Sequence, residues 1–350
     1  MRFIHLSDVH LGALPDRGSR WSEERGEEIW ETFRRVIAAI RKDPVDFLFI
    51  AGDLFHRQPL LRELREVNYL FSQIPTTTVY LMAGNHDYMK QDSFYRTFQW
   101  EQNVVFFGSE KLTCIKDGKA ELYVYGLSYE HQEITEPLYD AVKPLEKPGF
   151  HVLMIHGGDA RHIPLDIKGI AASGFDYIAM GHIHKPQIIF HDKMAYAGAL
   201  EPIDCNDIGP HGYIEGNYED GKVSVSFVPF SSRTYQQIIL TVREDSTQYS
   251  LEEMLRTDIM NRGGKNIYRV FLQGFRNPEL LLIPEKLKNQ GNIIDVIDQT
   301  QPMYDLDLLE KRYAGTLIGE YISYFRRREC TSVEEKALYY GLQALLQTSR

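Results

Sequence analysis

The sequence predicts a layered α/β protein, with a sheet or two packed sheets between helices, then a small α+β part and a pair of helices. In the first half, short apolar runs closed by Gly or His alternate with longer stretches whose apolar residues recur at helical spacing. The hydrophobic share, 43% of 350 residues, is that of an ordinary globular chain with enough material for a sizeable core. After Ser232 the pattern changes, and strand-like and helical stretches follow in a different order.

Taken in order, Arg2 to Ser7 reads as a short strand. Glu24 to Lys42 carries Ile29, Phe33, Val36, Ile37 and Ile40 on one helical face, and Pro44 stops it. Phe47 to Ala51 is a buried strand followed by Gly52, Leu60 to Ser72 a second amphipathic helix, and Thr78 to Met82 a strand ending at Gly84. Glu121 to Gly126, Val152 to Ile155, Tyr177 to Met180 and Met194 to Ala197 are further short strands. Beyond Ser232, Gln236 to Val242 and Ile267 to Leu272 are strands around a helix with an expected capping box at Ser250 and Glu253. From Asp305 two helices are expected, broken near Arg326-Arg327-Arg328, the second capped at Ser332 and Glu335. The expected division is therefore 1–232, 233–303 and 304–350.

The formal charge of −10 argues against a broad basic cradle for nucleic acid, although bound divalent ions reverse the sign locally. Cys114, Cys205 and Cys330 match no zinc or disulfide spacing and suit reduced thiols of a cytoplasmic protein. No signal peptide is expected, because Met1-Arg2-Phe3-Ile4 leads at once to polar Ser7-Asp8, and no apolar run reaches membrane-spanning length. No P-loop or dinucleotide motif is present.

The chemistry is concentrated in five short motifs, each just after a strand-like run. They are Asp8-Val9-His10, Gly52-Asp53-Leu54-Phe55-His56, Gly84-Asn85-His86-Asp87, His156-Gly157-Gly158 and Gly181-His182-Ile183-His184. Hydrophilic groups at strand ends gather where open α/β sheets bind ligands. In Asp8-x-His10 and His182-x-His184 the side chains two apart point the same way on extended chain, so each pair presents two ligands together. Two Asp, one Asn and four His suffice for two metals with a shared carboxylate. Mixed nitrogen and oxygen donors suit manganese, iron or zinc better than calcium. Any one of these motifs alone is an ordinary loop, whereas the ordered set with its glycine punctuation is not.

The ordered series resembles the calcineurin-like metallophosphoesterase signature over roughly the first two hundred residues. That resemblance implies a four-layer α-β-β-α sandwich, with Asp8, His10, Asp53 and His184 on one divalent ion. Asp53, Asn85, His156 and His182 would hold the second, and manganese is the foremost candidate. It also implies in-line attack on a phosphate by water activated between the ions. His86 would stabilise charge or protonate the leaving oxygen, and Asp87 is expected to orient its ring.

Within the superfamily, Gly52-Asp53-Leu54-Phe55-His56, the stretch Tyr196-Ala197-Gly198-Ala199-Leu200-Glu201 and the two-part tail are similar to SbcD-like nucleases. Ala199 departs from the serine usual there. This implies metal-dependent hydrolysis of DNA phosphodiester bonds in end processing or repair, by exonuclease action with endonuclease action as a possible addition. In the group, the residue matching His56 contacts the DNA backbone or the leaving side, the capping domain positions duplex, and the terminal helices bind an SbcC-like SMC-type ATPase. Leu306, Leu309, Tyr313, Leu317, Tyr321 and Tyr324 form a stripe for such a partner or for the chain's own packing. A homodimer is expected through the group's bundle, here Leu60, Leu61, Leu64, Val67, Leu70 and Phe71 with Phe94, Phe98 and Trp100. The alternative within the superfamily is a phosphodiesterase acting on small nucleotide substrates.

Overall fold

The structure is a computed structural model that describes residues 1–348. It divides into two compact units, Met1–Tyr235 and a second that begins at Gln236. In the first, the chain forms β1 (Arg2–Leu6), α1 (Ser22–Lys42), β2 (Phe47–Ala51), α2 (Leu61–Ser72), β3 (Thr78–Met82), β4 (Val104–Phe106), β5 (Thr113–Lys116) and β6 (Leu122–Gly126). It continues through β7 (Phe150–His156), α3 (Ile167–Ala171), β8 (Tyr177–Gly181), β9 (Gln187–Phe190), β10 (Met194–Tyr196), β11 (Gly212–Glu219) and β12 (Lys222–Pro229).

Two six-stranded sheets result, ordered β12-β11-β1-β2-β3-β4 and β5-β6-β7-β8-β10-β9. β1 to β4 run parallel in one sheet and β6-β7-β8-β10 in the other, and antiparallel strands lie at one edge of the first sheet (β11, β12) and at both edges of the second (β5, β9). Strands buried on both faces need continuous apolar sequence, as β2 (Phe-Leu-Phe-Ile-Ala) shows. Alternate residues then serve two cores. Phe3, Phe47, Phe49, Tyr80 and Met82 face Val124, Phe150, Val152, Met154 and Tyr177 between the sheets. Ile4, Leu6, Leu48, Ile50, Val79 and Leu81 face outward onto α1 and α2.

Helix α1 is set by its acidic first turn, Glu23 and Glu24, and its basic last turn, Arg41 and Lys42, which complement the helix dipole. It buries Ile29, Phe33, Val36, Ile37 and Ile40, each worth about 1.5–3 kcal/mol of transfer from water. The outer face of the second sheet is covered by α3 and by irregular chain carrying Leu127, Tyr129, Ile134 and Tyr139. The layers are thus helix, sheet, sheet and a thinner helix-and-loop layer, the sandwich expected from the resemblance.

The second unit contains β13 (Tyr235–Val242) from its second residue on, then α4 (Gln248–Arg262), β14 (Ile267–Arg276), α5 (Pro284–Lys288), β15 (Ile293–Asp298), β16 (Gln301–Pro302), α6 (Leu306–Arg312), α7 (Leu317–Arg326) and α8 (Ser332–Thr348). Its sheet runs β13-β14-β15, with β16 also on β14. Leu251, Leu255 and Ile259 of α4 pack on Ile238, Leu240, Val270 and Leu272. The cap of α4 lies one turn earlier than expected. Thr247 accepts from the Ser250 amide at 3.1 Å and Ser250 Oγ accepts from the Thr247 amide at 2.9 Å, so Ser250 is the reciprocating residue rather than the cap.

The first helix of the expected pair is divided into α6 and α7 by a turn containing Gly315, whose φ of +75° favours glycine. The capping pattern expected at Ser332 and Glu335 involves a Ser332 side chain outside the described residues. Next to it, Thr331 and Glu334 bond reciprocally. No helix among the described residues is long and apolar enough to cross a membrane.

Candidate metal centre

Five parallel strands, β1, β2, β3, β7 and β8, deliver their carboxyl ends to one place. Asp8, Asp53 and Asn85 follow the first three, His156 is the last residue of β7, and His182 follows β8. The backbone there is forced. Eight non-glycine residues in the described chain have positive φ, and four of them are Asp8 (49°), His10 (53°), Asp53 (51°) and His182 (95°). A left-handed conformation costs an L-residue on the order of 1–3 kcal/mol, and such strain concentrates at functional sites. Backbone bonds such as the His10 amide to the Asp53 carbonyl at 3.1 Å hold the loops together, and two carboxylates add to them. The Asp8 carboxylate accepts the His182 amide at 3.0 Å, and Asp53 Oδ1 accepts the His86 amide at 2.9 Å. Gly84 makes room for the centre, because a Cβ there would overlap Asp53 Oδ1 and His156 Nε2.

The ligand atoms of Asp8, Asp53 and His156 lie within 4.8 Å of one another, as do those of Asp8, His10 and His184. Asp53 Oδ2 stands 3.4 Å from His156 Nε2 and 3.8 Å from His10 Nε2, between the two groups. Asn85 Oδ1 lies 2.9 Å from His156 Nε2 and 3.1 Å from His182 Nδ1. His184 Nε2 is 3.0 Å from His10 Nε2. All seven residues expected as ligands are therefore brought together, and Asp8 reaches both groups.

The chemistry of this donor set calls for cations. His156 donates through Nδ1 to the Ala51 carbonyl at 2.9 Å, which leaves Nε2 an acceptor in the neutral ring. His182 donates through Nε2 to Asp159 at 2.8 Å, which leaves Nδ1 an acceptor. Both free nitrogens point at Asn85 Oδ1, itself an acceptor. His184 repeats the pattern, with Nδ1 bonded to Asp207 at 3.2 Å and Nε2 facing His10. Converging lone pairs repel unless a positive charge lies among them.

Without an ion the same field draws protons. Burial works against a charged His156, yet Asp53 prevails and pushes it up to about 9. Burial likewise opposes a charged His184, but the Asp207 bond and the Asp8 charge raise it to about 9. His10 is held well below its ordinary value by burial, reinforced by His184, His86 and His56. Burial disfavours the Asp53 anion, but His156 and His10 outweigh it and hold the carboxyl below the usual carboxylate range. A site that attracts protons to neutral imidazoles attracts divalent cations for the same reason.

His86 is exposed at the rim, 4.8 Å from the His10 ring and stacked on His56 at 5.1 Å. The expectation that Asp87 orients His86 is corrected by the structure. Asp87 is fully buried and accepts from the Gly84 amide (2.8 Å), the Phe55 amide (3.1 Å) and the Tyr95 hydroxyl (2.9 Å). Those three donors turn the carboxylate into the core. The ring of His86 is set instead by Nδ1 against the His56 carbonyl at 3.2 Å. His56 is half-buried, its Nδ1 3.4 Å from His10 Nδ1.

Sequence reasoning missed Asp159, His162 and Asp207. Asp159 and His162 form a further group with His182, as do His10, His56 and His86, their ligand atoms within 4.8 Å. In the Tyr196–Glu201 stretch, Tyr196 donates to the Gly157 carbonyl at 3.0 Å, and buried Glu201 meets Arg25 at 3.4 Å and Thr32 Oγ1 at 2.6 Å. Of the residues expected at a dimer bundle, Leu64, Val67 and Phe71 are spent in the monomer core, while Leu60 and Phe94 remain exposed. In the C-terminal stripe, Leu306, Leu309, Tyr313 and Tyr321 pack against Ile318, Ile322 and Leu342, whereas Leu317 and Tyr324 are exposed. Arg326 pairs with Asp307 and Glu310, and Arg328 lies over the Tyr324 ring and pairs with Glu334.

Fold and donor set together define a metal-dependent phosphoesterase. Residues 1–186 match the calcineurin-like phosphoesterases, and the chain belongs to that family. An uncharacterized metallophosphoesterase, YhaO of Bacillus subtilis (strain 168), is 28% identical over 306 residues, which are 81% of this chain and 74% of that protein. The DNA double-strand break repair protein Mre11 of Methanocaldococcus jannaschii is 28% identical over 218 residues, 59% of this chain and 58% of that protein. The protein of the same name from Sulfurisphaera tokodaii is 26% identical over 313 residues, 81% of this chain and 76% of that protein.

Proposed function

We propose that this phosphoesterase hydrolyses DNA phosphodiester bonds in the processing of DNA ends, as the nuclease subunit beside an SbcC-like SMC-type ATPase. The observation that carries the chemistry is the convergence of ring nitrogens and carboxylate and amide oxygens around Asp53 and Asn85. Similarity to proteins named for double-strand break repair supports DNA as the substrate.

Asp8, His10, Asp53 and His184 would hold one divalent ion and Asp53, Asn85, His156 and His182 the second. Such ions, manganese foremost, supply positive charge to the scissile phosphate and lower the pKa of water toward about 7. The chain's own groups do the rest. His86, exposed at the rim and donating Nδ1–H to the His56 carbonyl, would act as the doubly protonated ring, whose Nε2–H meets the phosphate oxygens or passes its proton to the departing oxygen. His56 stacks on His86, restrains its ring and offers a second contact to the phosphate backbone. Asp87 ties the Gly84 and Phe55 amides together and so fixes the spacing of the two loops.

A net charge of −10 gives the chain little general attraction for a polyanion, so a partner ATPase supplies DNA affinity. Residues 233–303 serve to position duplex and 304–350 to dock the ATPase, with Leu317 and Tyr324 available. A second copy of the chain pairs through Leu60 and Phe94.

The test is cleavage of end-labelled duplex and single-stranded DNA with manganese, beside bis-p-nitrophenyl phosphate, for wild type, His86→Ala and His56→Ala. Wild type should degrade DNA. His86→Ala should lose about 10²–10⁴-fold in rate while binding metal normally. Cleavage of the chromogenic ester alone, even with an ATPase added, would make the protein a small-substrate phosphodiesterase.

A further inference from the structure

Both histidines of the Gly181–His184 segment have a carboxylate behind them, but on opposite ring nitrogens. Asp207 takes Nδ1 of His184, and Asp159 takes Nε2 of His182. A neutral imidazole has one donor and one acceptor nitrogen, so whichever nitrogen is bonded outward decides which is bare inward. For His182 the inward atom is Nδ1, 3.1 Å from Asn85 Oδ1.

The loop that brings Asp159 to this place is tightly built. It leaves β7 directly after His156, and Gly157 and Gly158 turn it at φ of +150° and +131°. A Cβ on Gly157 would meet the His162 carbonyl, and one on Gly158 the Tyr196 hydroxyl. The Gly158 amide bonds the His162 carbonyl at 2.9 Å, and the Ile163 and Ile134 amides bond the carbonyls of Ile134 and Arg161 at 2.7 and 2.8 Å. Within it, Asp159 Oδ1 accepts the Arg161 amide at 2.7 Å and the His162 amide at 3.0 Å. Its Oδ2 is 2.9 Å from His162 Nδ1 and 2.8 Å from His182 Nε2. The His162 and His182 rings lie 4.5 Å apart. Strand β7 therefore supplies one candidate ligand, His156, and, three residues on, the carboxylate that orients another.

We propose that Asp159, steadied by His162, is a positioning residue that commits His182 to present Nδ1 to the divalent cation held with Asp53, Asn85 and His156. This inference rests on the assignment of those residues as ligands. Carboxylates in this relation to a ligating histidine fix its tautomer and raise its basicity, and their loss costs about 10–100-fold in metal affinity.

The experiment is titration of the full-length, metal-stripped chain with Mn²⁺ by calorimetry, for wild type, Asp159→Ala, Asp159→Asn, His162→Ala and Asp53→Asn. In Asp159→Ala one of the two binding events should weaken by about 10–100-fold and the other stay as in wild type. Asp159→Asn, whose amide oxygen still accepts from Nε2–H, should fall between that variant and wild type. His162→Ala should weaken the same event by less. Thermal midpoints in EDTA should fall only modestly for both Asp159 variants, since the carboxylate is half-exposed and the Gly158–Ile163 backbone bonds remain. Wild-type affinity at both events in Asp159→Ala overturns the proposal, as does an Asp159→Asn variant no better than alanine. Three bound ions in wild type and two in His162→Ala also overturn it, by making Asp159 and His162 ligands themselves. If Asp53→Asn binds manganese like wild type, the ligand assignment underneath fails first.

Discussion

Asp87 accepts a hydrogen bond of 2.9 Å from the Tyr95 hydroxyl, deep in the core, and so turns away from His86 beside it in sequence. Burial first, and then the charge of Asp53, pushes the Asp87 carboxyl up to about 7. A carboxyl whose folded pKa is raised favours the folded state while protonated. Its contribution is full below the unfolded value of about 3.9 and is lost as pH rises toward 7. Asp87→Asn cannot titrate and offers one acceptor oxygen to three donors, which costs about 1–3 kcal/mol. Melting of the metal-free proteins should show the deficit of Asp87→Asn largest near pH 5 and smaller at pH 8. A deficit that grows with pH would contradict the assignment.

His5 gives the opposite slope. It is fully buried between the sheets with Nδ1 2.9 Å from the Tyr177 hydroxyl, and burial pushes it down to about 3. The unfolded chain takes up a proton near pH 6.5 that the folded chain refuses, so stability falls as pH drops from there toward 3. His5→Gln, which keeps an acceptor for Tyr177, should lose stability less steeply between pH 6.5 and 4.5 in chemical denaturation. Equal slopes for the two proteins would show that His5 does not drive the acid sensitivity.

Much of this fold was legible because its strands are buried on both faces, which leaves unbroken runs such as Phe47–Ala51, and because α1 is cleanly amphipathic. The site was legible for a related reason. A polar residue directly after such a run has no core to enter, and the seven candidate ligands with His56 and His86 do gather at the strand ends. What escaped depends on contacts distant in sequence. Asp159 and His182 are 23 residues apart, as are His184 and Asp207, and no local spacing announces either pair. Asp87 was misassigned because adjacency in sequence hid the three donors that claim it. The hairpin of β11 and β12 did carry a local signal. Asp220-Gly221, both at positive φ, is the turn that closes it.

Glu201 ties α1 to the chain after β12. Its carboxylate meets Arg25, Thr32 Oγ1 and the Ser232 amide with no solvent exposure. Glu201→Ala leaves a buried guanidinium with only Glu28 and a carbonyl for partners and should destabilise by about 3–5 kcal/mol. Replacement by Gln keeps one acceptor and should cost less. Equilibrium unfolding in urea separates the two. A loss under about 1 kcal/mol for alanine would mean the network contributes little.

Gly84 tests the centre from the inside. Its missing side chain is what allows Asp53 Oδ1 and His156 Nε2 to approach, because a methyl group there would occupy the same space. The position has no unusual φ that alanine could not adopt, so Gly84→Ala acts by volume rather than by backbone strain. The methyl must displace Asp53 or His156, and a shift of about 1 Å in such a constellation costs on the order of 100-fold in rate. The variant should therefore lose hydrolysis of bis-p-nitrophenyl phosphate by about that factor and bind manganese more weakly. Its metal-free melting temperature should fall as well, since the methyl group would also meet the Asp53 backbone nitrogen, and Asp53 and His156 are both buried. Wild-type turnover in Gly84→Ala would show that the close packing of Asp53, Gly84 and His156 is not what holds the reactive geometry.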